Sequence, residues 1–317
     1  MRTVGIIGMG ALGKRHLEAV YKVHEDLEIY GMDINPNAMD GFAEPENNNG
    51  KKYYTFCTSL DGFPEELDVV IISTSSGVRR KLFDTLLEAH RVKTIIFEKV
   101  LFQRIEDYYY VGERLKLEGI TAYVNTPKRM FQGYKWLKDQ MKEETAFEFH
   151  LSGGEWGLGC NLVHMLDLIE YLDGGQSLEI TQFNLEPEIV ESKRAGYKEL
   201  YGSVSGKGKL CKNFTITCFR NSPLKLKINI ATPKCEYVIE EYNNKIQRIM
   251  DGVAEEKDIG VLYTSQSTTI VLEDLLHRGE CDLPSYKESK MTHLLFIKEF
   301  TRFFENQGME RGICPIT

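Results

Sequence analysis

Gly5-Ile6-Ile7-Gly8-Met9-Gly10-Ala11-Leu12-Gly13 is the stretch that decides how this chain folds. It sits behind an apolar strand beginning at Thr3 and runs into a helical pattern over Leu12 to Val23, with Leu17, Val20 and Tyr21 at helical spacing. The spacing Gly8-x-Gly10-x-x-Gly13 is that of a loop that cradles the phosphates of a dinucleotide. Gly8 allows a tight turn out of the strand, Gly10 leaves room for a pyrophosphate to approach the backbone, and Gly13 lets the helix pack closely on the sheet. The N–H groups that open the helix, from Ala11 and Leu12 onward, then face the anion.

A glycine triplet alone is weak evidence, and the downstream sequence adds to it. About twenty residues past the loop, Leu27-Glu28-Ile29-Tyr30-Gly31-Met32-Asp33 reads as a second strand ending in a carboxylate. An Asp in that place accepts hydrogen bonds from both hydroxyls of an adenosine ribose. Ile34-Asn35-Pro36-Asn37 follow with no Lys or Arg to neutralise a 2′-phosphate, so the expected cofactor is NAD rather than NADP. The plainer alternative is that Asp33 only caps a turn.

Composition bounds the rest. At 317 residues the chain has room for two domains, and 42% hydrophobic with 27% charged residues is ordinary for a globular protein. The formal net charge is -8 and no basic stripe follows a nucleic-acid backbone, so neither DNA nor RNA is an expected partner. The N-terminus reads as a strand and not as a secretory leader. No segment approaches the roughly 20 apolar residues that cross a bilayer, so no membrane is expected either. The seven cysteines are odd in number and form no Cys-x-x-Cys pair. That pattern points to free thiols in a reducing cytoplasm, with no metal site.

Over residues 1–124 strands alternate with helices. Strands are expected at Thr3 to Ile7, Glu28 to Asp33, Tyr53 to Cys57, Leu67 to Ser73, Val92 to Phe97 and Ala122 to Val124. Further helices are expected at Arg79 to His90 and Ile105 to Leu117, and Asn47-Asn48-Asn49-Gly50 is a loop signal. Such alternation implies a doubly wound parallel sheet, a Rossmann dinucleotide-binding domain. Residues 125–317 differ. After a linking helix (Tyr134 to Met141), strands follow one another between Ala146 and Glu240 with partial period-two alternation, broken by one helix near Asn161 to Leu172. This second, α+β domain is expected to hold a large, mostly antiparallel open sheet, to bind substrate and to mediate oligomerisation. Late helices near Thr268 to His277 and Thr292 to Phe304 are placed to pack back on the chain, the last on the first domain.

Two segments carry chemistry. Thr94-Ile95-Ile96-Phe97-Glu98-Lys99 delivers a Glu-Lys pair to the carboxyl edge of a buried strand, where ligands of open α/β sheets sit. A partly desolvated lysine there can exchange a proton with a substrate hydroxyl; a solvent-exposed turn lysine is the alternative. In Gly157-Leu158-Gly159-Cys160-Asn161-Leu162-Val163-His164-Met165-Leu166-Asp167, a helix puts Cys160, Asn161, His164 and Asp167 on one face. His164 can then shuttle protons or orient a hydroxyl, unless it is a packing residue and Asp167 a helix pairing partner.

Together these segments resemble the glucose–fructose oxidoreductase, inositol dehydrogenase and MocA family, written Gfo/Idh/MocA. The likeness runs over nearly the whole chain: the glycine loop, Ser73-Thr74-Ser75, the Leu86-Leu87-Glu88-Ala89 helix, Phe97-Glu98-Lys99, the Asn125 to Arg129 crossover, and the helix with His164 and Asp167. The resemblance implies a cytoplasmic, two-domain NAD-dependent oxidoreductase acting on sugars, cyclitols or nucleotide-linked sugars, assembled as a homodimer or homotetramer. It implies Lys99 as proton carrier and His164 as its partner, and Arg129 and Asn161 beside them at the substrate. Around the cofactor it implies Gly8, Gly10, Ala11, Leu12, Gly13, Asp33, Ser73, Thr74, Ser75, Glu98 and Lys99. Three departures stand out: Val100 replaces the proline of Glu-Lys-Pro, so a cis peptide is not expected there; Cys160 replaces the usual Asp; and the histidine common after the Ser-Thr edge gives way near Arg79. Two rival functions follow from the same scaffold, a redox-neutral glycosidase-like or eliminating enzyme that uses NAD transiently, and a non-catalytic NAD-binding sensor.

Overall fold

In the computed structural model, which describes residues 1–45 and 49–317, the chain divides into two units. One is Met1–Asn125 with Leu262–Ser289, and the other is Thr126–Val261 with Lys290–Thr317. Asn47 and Asn48 of the expected loop signal lie outside the described residues; Gly50 follows with φ +94.

The first unit begins β1 (Arg2–Ile7), α1 (Ala11–Tyr21), β2 (Leu27–Met32), β3 (Lys52–Cys57), β4 (Glu66–Ile72), α2 (Ser76–Ala89), β5 (Arg91–Phe97), α3 (Ile105–Leu117) and β6 (Thr121–Val124). Its six strands are parallel, in the order β3-β2-β1-β4-β5-β6. The apolar runs that suggested strands covered on both faces are so covered: Val4, Ile6, Ile7, Val70, Ile71, Ile72 and Ile95 are all buried. Strand order reverses at β1, and crevices in such sheets open at that switch point. Register places the site there. Ile7 stands beside Met32 and Ile72, and Ile72 beside Phe97. The next residues in each strand's path, Gly8, Asp33, Ser73 and Glu98, therefore lie along one edge.

The second unit contains α4 (Gln132–Gln140), β7 (Phe147–Gly154), α5 (Leu158–Asp173), β8 (Glu179–Leu185), β9 (Val190–Glu191), β10 (Lys198–Glu199), β11 (Gly202–Lys207), β12 (Cys211–Phe219), β13 (Lys227–Ala231), β14 (Glu236–Glu240), β15 (Lys245–Met250) and β16 (Val253–Asp258). Eight strands form one sheet in the order β16-β15-β14-β13-β7-β12-β11-β8, while β9 and β10 pair separately. Only β7 and β12 run parallel within the larger sheet, among the described residues. Along β7, Phe147, Phe149 and Leu151 are buried, and they alternate with the more exposed Glu148, His150 and Ser152.

The hairpin of β15 and β16 was not anticipated. All six residues of β16 are exposed, so no apolar alternation announces it. Its signal was the turn: Asp251 and Gly252 both take positive φ (52 and 77), the conformation an Asp-Gly hairpin turn needs. The chain ends with α6 (Thr264–Arg278) and α7 (Tyr286–Asn306). α6 lies on α1 in the first unit, where Thr269 Oγ1 donates to the Ala19 carbonyl at 3.0 Å.

Candidate active site

The glycine loop has the sterics its spacing implies. Gly8 has φ +95, and a Cβ on it would come within 2.8 Å of Thr74 Cγ2. A Cβ on Gly13 would stand 2.0 Å from the Gly8 carbonyl oxygen. A Cβ on Gly10 would meet nothing within 4 Å. The outer glycines are required by the protein itself, whereas the middle one faces open space of the kind a pyrophosphate occupies. Ser73, buried at the end of β4, steadies the loop by donating from Oγ to the carbonyls of Ile7 (3.0 Å) and Gly8 (2.7 Å). Ser75 is the N-cap of α2.

Asp33 accepts from Met9 N (2.8 Å) through Oδ2 and from Asn35 N (2.9 Å) through Oδ1. The carboxylate thus caps the turn and ties the glycine loop to the end of β2. Each oxygen has a second lone pair, so this job is compatible with ribose binding. Beside it a cavity of about 400 Å³ is lined by Met32, Ile34, Leu60, Val78 and Leu82, apolar walls suited to a flat base. Lys81 reaches the same cavity, a cation that reading Ile34 to Asn37 alone did not reveal.

At the end of β5, Glu98 is buried, and its Oε1 receives His16 Nε2 at 3.0 Å and Asn125 Nδ2 at 2.5 Å. Burial alone would raise the Glu98 pKa, but the hydrogen bonds and charge of His16, the Asn125 amide and the Lys99 cation hold it below the usual carboxylate range. His16 Nδ1 lies 2.9 Å from Thr268 Oγ1 on α6. Lys99, next in the chain, is half-buried.

The Lys99–Val100 peptide is cis, contrary to the expectation drawn from the missing proline. The physical setting is Arg79. Its fully buried guanidinium donates to the carbonyls of Val100, Leu101 (2.7 Å) and Thr74. Those contacts fix the path of the segment, which continues buried through Phe102.

In the second unit, α5 begins at Gly157 (φ +80), and the buried Glu199 receives the Gly159 N–H. Asn161 Nδ2 donates to the Trp156 carbonyl at 2.6 Å, and Cys160 Sγ lies 3.7 Å from the Gly157 carbonyl. Asn161 and His164 line one cavity of about 280 Å³ together with Phe131, Trp156, Met165 and Leu226. Asp167 is turned elsewhere, gripped by Arg129 through Nε–Oδ2 (3.1 Å) and Nη2–Oδ1 (2.5 Å). Arg129 is therefore engaged by this carboxylate, and the pair braces α5 against the turn before α4.

Sequence reasoning passed over His16 and Glu199, and it noted Arg79 only as lying near a lost histidine. For His16 a signal existed: it shares a helical face with Ala19, Val20 and Val23, so it is a polar residue on an inward apolar face. Among the described residues, no group of three or more His, Cys, Asp or Glu is arranged to hold a metal ion. No helix among them is long and apolar enough to cross a membrane.

A parallel sheet with this order, a phosphate-type glycine loop and a carboxylate at the tip of β2 define the first unit as a dinucleotide-binding Rossmann domain. More particularly, residues 2–126 match the Gfo/Idh/MocA oxidoreductase family, NAD-binding Rossmann fold. Solved structures share the fold end to end. The UDP-N-acetylglucosamine 3-dehydrogenase GnnA of Acidithiobacillus ferrooxidans is 12% identical, with a TM-score of 0.71 over 92% of this chain and 94% of that one. An Agrobacterium radiobacter oxidoreductase in complex with NAD+, L-tartaric acid and magnesium is 15% identical, with a TM-score of 0.70 over 96% and 97%. A super-repressor mutant of Gal80p from Saccharomyces cerevisiae is 13% identical, with a TM-score of 0.73 over 97% of each chain. No curated protein matches the sequence.

Proposed function

We propose that this protein is an NAD(H)-dependent oxidoreductase acting at a hydroxyl or keto carbon of a sugar-type small molecule, with Lys99 as proton carrier and His164 as its partner. The observation that carries the reading is the contrast within the glycine loop, crowded at Gly8 and Gly13 and open at Gly10, on the sheet edge that also presents Glu98 and Lys99. In this reading the amides that open α1 hold the phosphates, Asp33 holds the ribose, and the apolar cavity beside it takes the base. When bound, the nicotinamide supplies or accepts the hydride. Lys99 takes the hydroxyl proton or returns it, while Asn161 and His164 orient the substrate from the α5 wall. Glu98, kept ionised by His16 and Asn125, sets a fixed negative charge beside the lysine. The dehydrogenase among the structural neighbours supports this substrate class.

The test is Lys99→Ala. Turnover should fall by about 10²–10⁴, the usual worth of a positioned acid–base group, while the dissociation constant for NADH stays within about threefold. Turnover within a few-fold of the parent would remove the lysine from its role.

The likeness to Gal80p and the Cys160 in place of an acidic residue favour a second reading, an NAD-binding regulatory protein. Tight NADH binding with no oxidation or reduction across a broad sugar panel decides for it. In either case we place the protein in the cytoplasm as a homodimer or homotetramer. The more exposed side of β7, carrying Glu148, His150 and Ser152, belongs to the face that would self-associate.

A further inference from the structure

The wall that carries His164 has a chemical bias of its own. Five of the side chains around its cavity are apolar: Pro127, Phe131, Trp156, Met165 and Leu226. The polar groups there are largely committed to the protein. Lys128 Nζ lies 2.5 and 2.6 Å from the two oxygens of Glu241. The indole N–H of Trp156 donates to the Thr217 carbonyl at 3.0 Å, and the Asn161 amide nitrogen donates to the Trp156 carbonyl at 2.6 Å. The rest of the lining is two aromatic rings, a proline, a thioether and a leucine, on the same wall as Asn161 and His164. A fully hydroxylated ring would have to strip water from hydroxyls against those side chains without replacement hydrogen bonds, which is unfavourable. A single stacked aromatic would suit any sugar's C–H face. Two aromatics with Met165 and Leu226 suit a substituent that is itself apolar.

We propose that the substrate carries a methyl-terminated substituent on a sugar-type ring, a deoxy methyl or the methyl end of an acetyl group, and that this methyl seats against Phe131, Trp156, Met165 and Leu226. The proposal rests on the reading of this wall as the substrate side of an oxidoreductase. At about 280 Å³ the cavity takes a monosaccharide-sized group.

The test uses the full chain saturated with NADH. N-acetylated and 6-deoxy hexoses of gluco, galacto and manno configuration are each compared with the fully hydroxylated hexose of the same configuration. Binding is titrated, and saturation-transfer NMR reports which protons touch the protein. At least one methyl-bearing sugar is expected to bind about tenfold tighter than its hydroxylated counterpart, the discrimination a buried methyl gives, with the strongest transfer to its methyl protons. Leu226→Ser, at a half-buried loop position, and Trp156→Ser are each expected to reduce that ratio to about threefold or less. The proposal is overturned if hydroxylated sugars bind as well or better, if no sugar of the panel binds while NADH does, or if both variants keep the full ratio. Failure of the redox reading would look different: the methyl preference would persist with no change in NADH absorbance during turnover assays. Turnover with no methyl preference would sink the present inference alone.

Discussion

Gly10→Ala and Gly13→Ala should fail for opposite reasons, although the two glycines are three residues apart. Gly10 has φ −67 and ψ −167 at the start of α1, a backbone any L-residue adopts, and its added methyl meets nothing in the protein. Replacing glycine at a compatible site narrows the unfolded ensemble and stabilises by about 0.4–1 kcal/mol. For a domain of this size that is an unchanged melting temperature or a rise of roughly 1–4 °C. The same methyl intrudes where a pyrophosphate would lie against the loop amides. Losing two charge-assisted hydrogen bonds costs about 3–6 kcal/mol, so NADH should bind about 10²–10⁴ times more weakly. At Gly13, helix propensity would favour alanine by up to about 1 kcal/mol. The Cβ, however, would stand 2.0 Å from the Gly8 carbonyl oxygen and 3.2 Å from the buried Ser73 hydroxyl. Neither neighbour is the far end of a flexible chain, and overpacking of this kind costs about 1–3 kcal/mol or more. A fall of roughly 3–10 °C is expected. Thermal unfolding with and without NADH, together with a fluorescence titration of NADH, separates the two outcomes. If Gly10→Ala binds NADH within threefold of the parent, the open space over the loop is not where the cofactor sits. If Gly13→Ala melts with the parent, the loop and helix are not packed as tightly as argued.

Three further outcomes follow from the structure. Asp167→Ala removes the carboxylate paired with the largely buried Arg129 guanidinium and should destabilise by about 3–5 kcal/mol, whereas Arg129→Met with Asp167→Leu should recover most of the loss; urea unfolding of the single and double variants checks this. Arg79→Lys should not rescue the loss caused by Arg79→Met, because one ammonium cannot span the carbonyls of Thr74, Val100 and Leu101; equal melting temperatures for the lysine variant and the parent would refute it. Burial by itself would push the Asp173 carboxyl up, but the Ser177 hydroxyl and the N–H groups of Cys211, Lys209 and Leu210 hold it below the ordinary range. Its folded pKa being depressed, its contribution is complete at neutral pH and fades as the pH falls through the acid range. Asp173→Asn should therefore cost about 1–3 kcal/mol at pH 7, and the gap to the parent should narrow below about pH 4 in unfolding curves taken at both values.

The first unit was legible because its inner strands are largely buried on both faces and punctuated by glycine. Apolar runs such as Val69 to Ile72 have no other comfortable home, and β4 ends within a residue of the expected Leu67 to Ser73. The same logic hid β16, which turns no residue inward and was announced only by Asp251-Gly252. On the chemical side, the residues on the phosphate loop, at the tip of β2 and on α5 could be named from spacing. Their supports could not, because His16 and Arg79 act across the fold on atoms far away in the chain. The Lys99–Val100 bond makes the point. Two departures from the expected pattern, Val100 for proline and the histidine that gives way near Arg79, read as independent changes. In space they meet: the Arg79 guanidinium donates to the carbonyl of Val100 itself. The Arg79 guanidinium thus holds the backbone at positions 100 and 101, and the edge presenting Lys99 keeps a defined path. Spacing rules register each change separately; only the hydrogen-bond partners reveal that together they make a single arrangement.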